Sequence, residues 1–95
     1  MAFNQLTDAQ AERLHILVEE LGEAIQAAGK ILRHGYESGW NGSNNRHDLE
    51  KELGHVESSI DRLVDAKELD AENIFASAYS KKTSIKPFLH HQHED

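Results

Sequence analysis

Residues 14–32, LHILVEELGEAIQAAGKIL, decide the fold class because their apolar side chains recur at the spacing of an α-helix. Upstream, Thr7 and Gln10 form a capping-box pattern that predicts a helix start at about Asp8. We therefore predict a first helix over residues 8–34. Its main apolar stripe should face the core of the protein; the stripe is centred on Leu14, Leu21, Ile25 and Leu32.

Two further helices are predicted downstream. Glycine, serine and asparagine dominate residues 35–45, which indicates a loop. A second helix over about residues 46–67 follows from apolar residues spaced by four, three, four and three, namely Leu49, Leu53, Val56, Ile60 and Leu63. Asp70 can cap a third helix over about residues 70–86, which Pro87 ends or kinks, and a frayed tail is expected over residues 88–95. We predict a single all-α domain over residues 1–95, a bundle of about three helices.

Size and composition narrow the functional classes. A chain of 95 residues buries only a thin core, so we expect oligomerisation to complete it, as a homodimer or homotetramer. The formal charge of −7 disfavours duplex nucleic acid as a partner. The absence of cysteine excludes disulfides and thiolate sites, and fits a reducing compartment, for which the cytoplasm is the simplest choice. No apolar run reaches the roughly 18 to 20 residues of a membrane span, and no signal pattern begins the chain, so no membrane partner is expected.

The first helix carries carboxylates away from its main stripe. Acidic residues opposite a core are ordinarily just solvated, but Glu20 shares its side of the helix with apolar residues; these are Ile16, Ala24, Ala27 and Ile31. We therefore expect a second, partly apolar face that contains Glu20 and Glu23. Crowded carboxylates with little access to water must take up protons or bind a cation, and Mg²⁺ or Mn²⁺ suits oxygen ligands.

The second helix offers further ligands on one flank of its apolar stripe. Asp48, Glu52, His55 and Ser59 fall along this flank, where they could face the first helix. For Asp48 and Ser59 a solvated shoulder is the favoured interpretation. For Glu52 and His55 a metal site with Glu20 and Glu23 is favoured.

Two motifs in this order resemble the MazG-like family of all-helical nucleoside triphosphate pyrophosphohydrolases. The first is Glu19-Glu20-Leu21-Gly22-Glu23 and the second is Glu52-Leu53-Gly54-His55, separated by a loop rich in glycine and asparagine. The family carries Glu-Glu-x-x-Glu on one helix and Glu-x-x-Asp on the next, and the resemblance covers about residues 13 to 85. The segments GKILRHG (29–35) and NRHDLE (45–50) are similar to those of small phage and bacterial members.

The resemblance implies a Mg²⁺-dependent attack by water between the α and β phosphates, which yields a nucleoside monophosphate and pyrophosphate. Glu20, Glu23 and Glu52 would hold the metal, and Glu19 would act as a general base on the water. Lys81 and Lys82 stand where the family places a phosphate-binding lysine, although an ordinary exposed pair is an equal alternative.

His55 departs from the family pattern because it stands where the family has Asp. A neutral imidazole suits Mn²⁺, Fe²⁺ or Zn²⁺ better than Mg²⁺. Three outcomes stay open: Asp48 replaces the missing carboxylate, the metal preference has shifted, or the protein binds nucleotides without cleaving them. Two other classes also stay open. Glu-x-x-His is a signature of ferritin-like di-iron bundles, and the acidic surface could belong to a non-catalytic interaction protein.

Residues that could contact a nucleobase lie in the loop. Tyr36 and Trp40 either stack on a base or cover an edge of the core, and Asn41, Asn44 or Asn45 could bind the edge of the base. Arg33 and His34 are expected to cap the first helix. The C-terminal histidines resemble a metal-binding tract, with a polar tail as the alternative; they are His90, His91 and His93.

Overall fold

The computed structural model describes residues 3–40 and 42–92, and these form three α-helices with no strand. The helices are α1 (Asp8–His34), α2 (Asn45–Asp65) and α3 (Ala71–Ser84), followed by a 3₁₀-helix over Lys86–Phe88. The all-α prediction is confirmed. The bounds of α1 are those predicted, whereas α2 begins one residue earlier and ends two residues earlier than predicted.

Local side-chain hydrogen bonds explain where the helices begin. The Thr7 hydroxyl accepts a hydrogen bond from the Gln10 amide at 3.1 Å, and the Gln10 side chain accepts one from the Thr7 amide at 2.8 Å, which forms the predicted capping box. The Asn44 side chain caps α2, and Asp70 caps α3 by accepting from two backbone amides. Pro87 lies within the 3₁₀-helix after α3 has ended, because it lacks the amide hydrogen that a continued α-helix needs.

The helices α1 and α2 pack against each other as an antiparallel hairpin, with Arg13 beside Glu68 at one end and Gly35 beside Asn45 at the other. The core of this hairpin is small. Ala24 and Ala27 of α1 lie buried against α2, and Leu63 is only 1% exposed. Because these alanines are small, the backbones of the two helices can approach closely. Long side chains that flank the alanines can then meet between the helices.

The predicted core stripe of α1 is wrong for this chain. Ile25 is 72% exposed and Leu32 is 89% exposed, and Leu14 and Leu21 are also exposed. The side that packs on α2 is instead the one that carries Ala24 and Ala27 with Glu20. The reason is geometric: α2 has one apolar stripe and can cover only one side of α1. Hydrophobicity favours leucine and isoleucine as core residues, whereas close helix packing favours alanine.

The third helix contributes nothing to this core. It has no buried residue, and its only extensive contacts among the described residues are with the 3₁₀-helix. Phe75 and Tyr79 are each 72% exposed, and Ile74 is also exposed. Within the described residues, no helix has the length and apolar character needed to cross a membrane.

Candidate metal centre and the adjoining cleft

Four side chains from α1 and α2 meet on one side of the hairpin. Glu20 and Glu23 lie one helical turn apart on α1, and Glu52 and His55 lie one turn apart on α2. One potential ligand atom from each of the four lies within 4.8 Å of those of the other three. The antiparallel pairing of the helices produces this grouping, because it sets Glu20 beside His55 and Glu23 beside Glu52. We call these four residues the acidic cluster.

Two carboxylate oxygens of the acidic cluster are buried without a hydrogen-bond partner. They are Glu20 Oε2 and Glu52 Oε2, and the Glu52 side chain is only 13% exposed. His55 Nδ1 lies 3.4 Å from the first oxygen and 3.6 Å from the second. Both distances are too long for a normal hydrogen bond, and the imidazole attracts the carboxylates as an ion only when it is protonated. A buried polar atom without a partner is costly, so a cation that contacted both oxygens would relieve this cost.

The acidic cluster also carries an excess of negative charge. The pKa of Glu23 is raised above its usual value because Glu23 shares a hydrogen bond with Glu52 and because the charges of Glu52 and Glu20 repel its ionised form. A proton or a bound cation would relieve this repulsion. Three carboxylates and one imidazole form a donor set that fits a divalent metal ion.

Three other residues that were considered for the site lie outside the acidic cluster. Glu19 is exposed, although its charge contributes to the raised pKa of Glu23. Asp48 lies near the cluster but outside it, and its Oδ1 accepts a hydrogen bond from the Ser43 hydroxyl at 2.9 Å. The solvated position predicted for Ser59 is wrong, because Ser59 is buried and its hydroxyl donates to the Val56 carbonyl at 2.8 Å.

The predicted phosphate-binding lysines do not reach the acidic cluster within this chain. Lys81 and Lys82 are exposed on α3, and no residue of α3 lines the cleft at the cluster. Lys81 instead borders a shallow hollow on α3 itself, beside Ser77 and Ser80. Among the described residues, α3 makes its main contacts with the 3₁₀-helix rather than with α1 or α2, which explains this separation.

The loop residues divide into structural and accessible ones. Asn45 is buried and its side-chain amide donates to the Gly35 carbonyl at 3.1 Å, which closes the loop between α1 and α2. The Arg46 guanidinium lies 4.4 Å from the centre of the Tyr36 ring, so one face of this ring already has a cation–π partner. Trp40 is 85% exposed and its ring is available to a ligand. Asn41 lies outside the described residues.

His90 and His91 take no part in the acidic cluster. His90 and His91 are exposed beyond the 3₁₀-helix, and the four-residue grouping includes neither of them. His93 lies outside the described residues, as does the end of the predicted tail at residues 94–95. The metal-binding interpretation of this tract therefore gains no support from the described part of the chain.

A cleft that sequence reasoning missed continues from the acidic cluster toward the loop. It consists of two adjoining hollows, of about 490 and 470 Å³, that share Lys30, Asp48 and Lys51. The hollow at the loop end is also bordered by Arg33 and Trp40. A signal was present in the sequence, because Lys30 follows Glu23 by seven residues and so lies two turns along the same face of α1.

Comparisons of the chain with protein-family models, with curated proteins and with solved structures gave no match. The resemblance to MazG-like pyrophosphohydrolases therefore stays a prediction that rests on the two quoted motifs. The structure adds a spatial fact to it, since Glu20 and Glu23 of the first motif meet Glu52 and His55 of the second.

Proposed function

We propose that this protein is a metal-dependent nucleoside triphosphate pyrophosphohydrolase of the MazG-like type, which converts a nucleoside or deoxynucleoside triphosphate to the monophosphate and pyrophosphate. The observation that carries the proposal is the pair of buried carboxylate oxygens without partners, Glu20 Oε2 and Glu52 Oε2, in a grouping with Glu23 and His55. A cation is the simplest partner for such oxygens. The order of the two motifs along the chain supplies the reaction class.

The residues of the acidic cluster have distinct roles in this proposal. Glu20, Glu23, Glu52 and His55 hold Mg²⁺ or Mn²⁺ with a set of oxygen and nitrogen donors. When bound, the ion supplies Lewis-acid chemistry, which favours ionisation of the attacking water and offsets charge on the phosphates. The resemblance assigns to Glu19 the role of the base that accepts the proton of that water, and the exposed carboxylate of Glu19 lies outside the acidic cluster.

The functional form in this proposal is a homodimer or homotetramer. The exposed stripe of α1 and the exposed aromatic residues of α3 are apolar surfaces that the hairpin leaves without partners. A second copy that covers them would remove large apolar side chains from water, as Ile25 and Phe75 illustrate. The reactants are a nucleoside triphosphate and water, the cofactor is Mg²⁺ or Mn²⁺, and the proposed compartment is the cytoplasm.

A pyrophosphate-release assay tests the proposed reaction. The protein is incubated with each common ribo- and deoxyribonucleoside triphosphate, with Mg²⁺ or with Mn²⁺, and both products are identified. We expect a nucleoside monophosphate and pyrophosphate in equal amounts from at least one substrate. If no nucleotide is cleaved but one raises the melting temperature, the protein is a nucleotide-binding protein and the proposed reaction is wrong.

The variant Glu20→Gln tests the site itself. It removes one negative charge from the acidic cluster while it preserves the shape of the side chain, so we expect turnover to fall by at least about 100-fold with unchanged helicity. The matched control is Glu57→Gln, which alters an exposed glutamate of α2 outside the acidic cluster. Full activity in Glu20→Gln would remove Glu20 from the site.

Metal binding has a readout that does not depend on activity. Mn²⁺ at about 100 times its dissociation constant should stabilise the folded protein by about 2.7 kcal/mol, since it binds the folded state only. Calorimetry of the metal-free protein with and without Mn²⁺ measures this gain. The gain should be lost in Glu52→Gln and kept in Glu57→Gln, and equal gains in both variants would place the ion elsewhere.

A further inference from the structure

The loop end of the cleft is cationic in a protein whose net charge is negative. The chain has a formal charge of −7, yet Lys30, Arg33 and Lys51 all border the cleft between the acidic cluster and the loop. Asp48 is the one carboxylate that borders its loop end among the described residues, and the Ser43 hydroxyl already donates a hydrogen bond to it. The local charge is therefore opposite in sign to that of the whole protein.

Helix capping does not account for these cations. Arg33 lies in the last turn of α1, where a positive charge stabilises the helix dipole, but Lys30 lies one turn earlier, and Lys51 lies in the second turn of α2, near the helix N-terminus, where the dipole does not favour a cation. Lys51 Nζ lies 3.8 Å from Glu52 Oε1. Among the ion pairs of residues 3–40 and 42–92, neither Lys30 nor Arg33 takes part, although the chain has more acidic than basic residues.

The position of the lysines links the cleft to the acidic cluster. Lys30 and Lys51 border both hollows, so they lie between the acidic cluster and the loop. Along α1, seven residues separate Glu23 from Lys30, which is about 10 Å at 1.5 Å per residue. A flexible lysine side chain can extend back along the helix over part of this distance. The remaining gap can hold neighbouring phosphates of one ligand, between the acidic cluster and the lysines.

We propose that this cleft binds the β- and γ-phosphates of the nucleotide, with Lys30 and Lys51 as their principal ligands and Arg33 beyond them. The proposal rests on the proposed function, because that function sets the α-phosphate at the acidic cluster. It assigns the phosphate-binding role to the hairpin rather than to Lys81 and Lys82 on α3. The nucleoside then extends away from the cleft, so that Trp40 lies beside the phosphates and not under the base.

The chemistry of the leaving group explains why cations are needed at this place. The water oxygen forms a bond to the α-phosphorus while the bond from that phosphorus to the bridging oxygen breaks. The bridging oxygen keeps the electron pair and leaves as part of pyrophosphate, and the proton of the water passes to a base. Negative charge thus increases on the leaving group during the reaction, and Lys30 and Lys51 stabilise that charge by charge-assisted hydrogen bonds.

Titration with inorganic pyrophosphate and Mg²⁺ tests the cleft, and isothermal calorimetry measures the affinity. Trp40 is the only tryptophan of the chain and borders the cleft, so its fluorescence reports where the ligand binds. We expect the double variant Lys30→Ala/Lys51→Ala to bind pyrophosphate at least about tenfold more weakly and to lose the fluorescence change. Its Mn²⁺ affinity should be undiminished, because no ligand of the ion has changed.

Three further variants complete the experiment. Lys67→Ala removes one exposed lysine outside the cleft and controls for the loss of charge, with Lys30→Ala as its single-site counterpart. Lys81→Ala/Lys82→Ala removes the same charge as the cleft double variant. If this variant shows the loss of pyrophosphate affinity, or if a nucleoside monophosphate without pyrophosphate produces the Trp40 signal, the assignment of the cleft is overturned.

Failure of the cleft proposal is distinct from failure of the proposed function. If a triphosphate is cleaved and Lys30→Ala/Lys51→Ala keeps the full kcat/KM, only the cleft proposal is wrong. If no triphosphate is cleaved but pyrophosphate binds with the expected dependence on Lys30 and Lys51, the cleft proposal holds as an anion site and the proposed reaction is wrong.

Discussion

The α1–α2 hairpin and the α3 helix differ sharply in how they use apolar side chains. Every buried residue among the described ones lies on α1 or α2, whereas α3 has none and exposes Phe75 and Tyr79. The same contrast divides α1 itself, since its alanine side is buried and its side with Ile25 and Leu32 is exposed. The hairpin therefore provides both the internal packing and the acidic cluster. Among the described residues, no packing within one chain covers the exposed apolar side of α1 or the exposed aromatic residues of α3.

The largest expected effect comes from a change in the core of the hairpin. Leu63 is the most deeply buried large side chain, so Leu63→Ala should lower the free energy of unfolding by about 2–5 kcal/mol through lost burial and the cavity left behind. Phe75→Ala on α3 should change it by no more than about 0.5 kcal/mol in dilute, monomeric protein. Urea unfolding monitored by circular dichroism measures both. Equal losses in the two variants would show that α3 packs on the hairpin in solution.

The second prediction concerns the exposed stripe of α1. If a second copy covers it, Ile25→Ser/Leu32→Ser should weaken self-association at least about 100-fold, since burial of each such side chain contributes about 1.5–3 kcal/mol. Sedimentation velocity over a range of concentrations measures this change. The helicity of the monomer should stay the same because neither residue packs on α2. Wild-type association in the double variant would mean that copies meet through another surface.

A smaller effect, in pH dependence, distinguishes the acidic cluster from the ordinary carboxylates of the hairpin. The folded-state pKa of Glu23 is raised, so in metal-free protein its ionisation opposes folding above that pKa, and the penalty is relieved as the pH falls through the raised value toward the unfolded one. Glu23→Gln should therefore be more stable than the metal-free wild type at neutral pH, and the difference should shrink on acidification. Thermal melts of both proteins at several pH values give the difference directly, and a constant difference would contradict the raised pKa.

The sequence predicted the helices well because their signals are local. The capping box at Thr7, the cap at Asp70 and the stop before Pro87 each depend on a few neighbouring residues. For α1 the sequence predicted two covered sides, and the structure buries only the one with Ala24 and Ala27, because the partner that α1 meets decides which side is covered. The only partner within the described chain is α2, and it packs on Ala24 and Ala27 rather than on the larger Leu and Ile side chains.

The site shows the same division between local and long-range information. The grouping of Glu20 and Glu23 with Glu52 and His55 was predicted, because each pair is spaced by one helical turn and the loop between the helices returns the chain. Whether a metal binds there stays a prediction. The cationic cleft was missed because Lys30 and Lys51 come together only through the register of the two helices. Lys81 and Lys82 were assigned by resemblance, and the structure leaves them on a separate helix.

The smallest expected effect comes from the glycines within the helices. Gly22 and Gly54 lie inside α1 and α2, and a Cβ at either position meets no atom within 4 Å apart from its chain neighbours and the backbone of its own helix. Alanine should thus stabilise the monomer by roughly 0.5–1 kcal/mol at each site, through its higher helix propensity. The two sites differ in their surroundings: Gly22 lies near Ile25 on the exposed apolar side of α1, whereas Gly54 lies on the outer side of α2.

This difference turns the two glycines into a matched pair. If a helix of a second copy packs closely on the exposed side of α1, Gly22→Ala should stabilise the monomer yet weaken self-association, because the added methyl group occupies contact space. Gly54→Ala should stabilise the protein without a change in association. Unfolding and sedimentation experiments on both variants measure the two quantities separately. If Gly22→Ala leaves association unchanged, the copies do not meet closely at Gly22, and the apolar stripe of α1 must be covered at a greater distance or through its other residues.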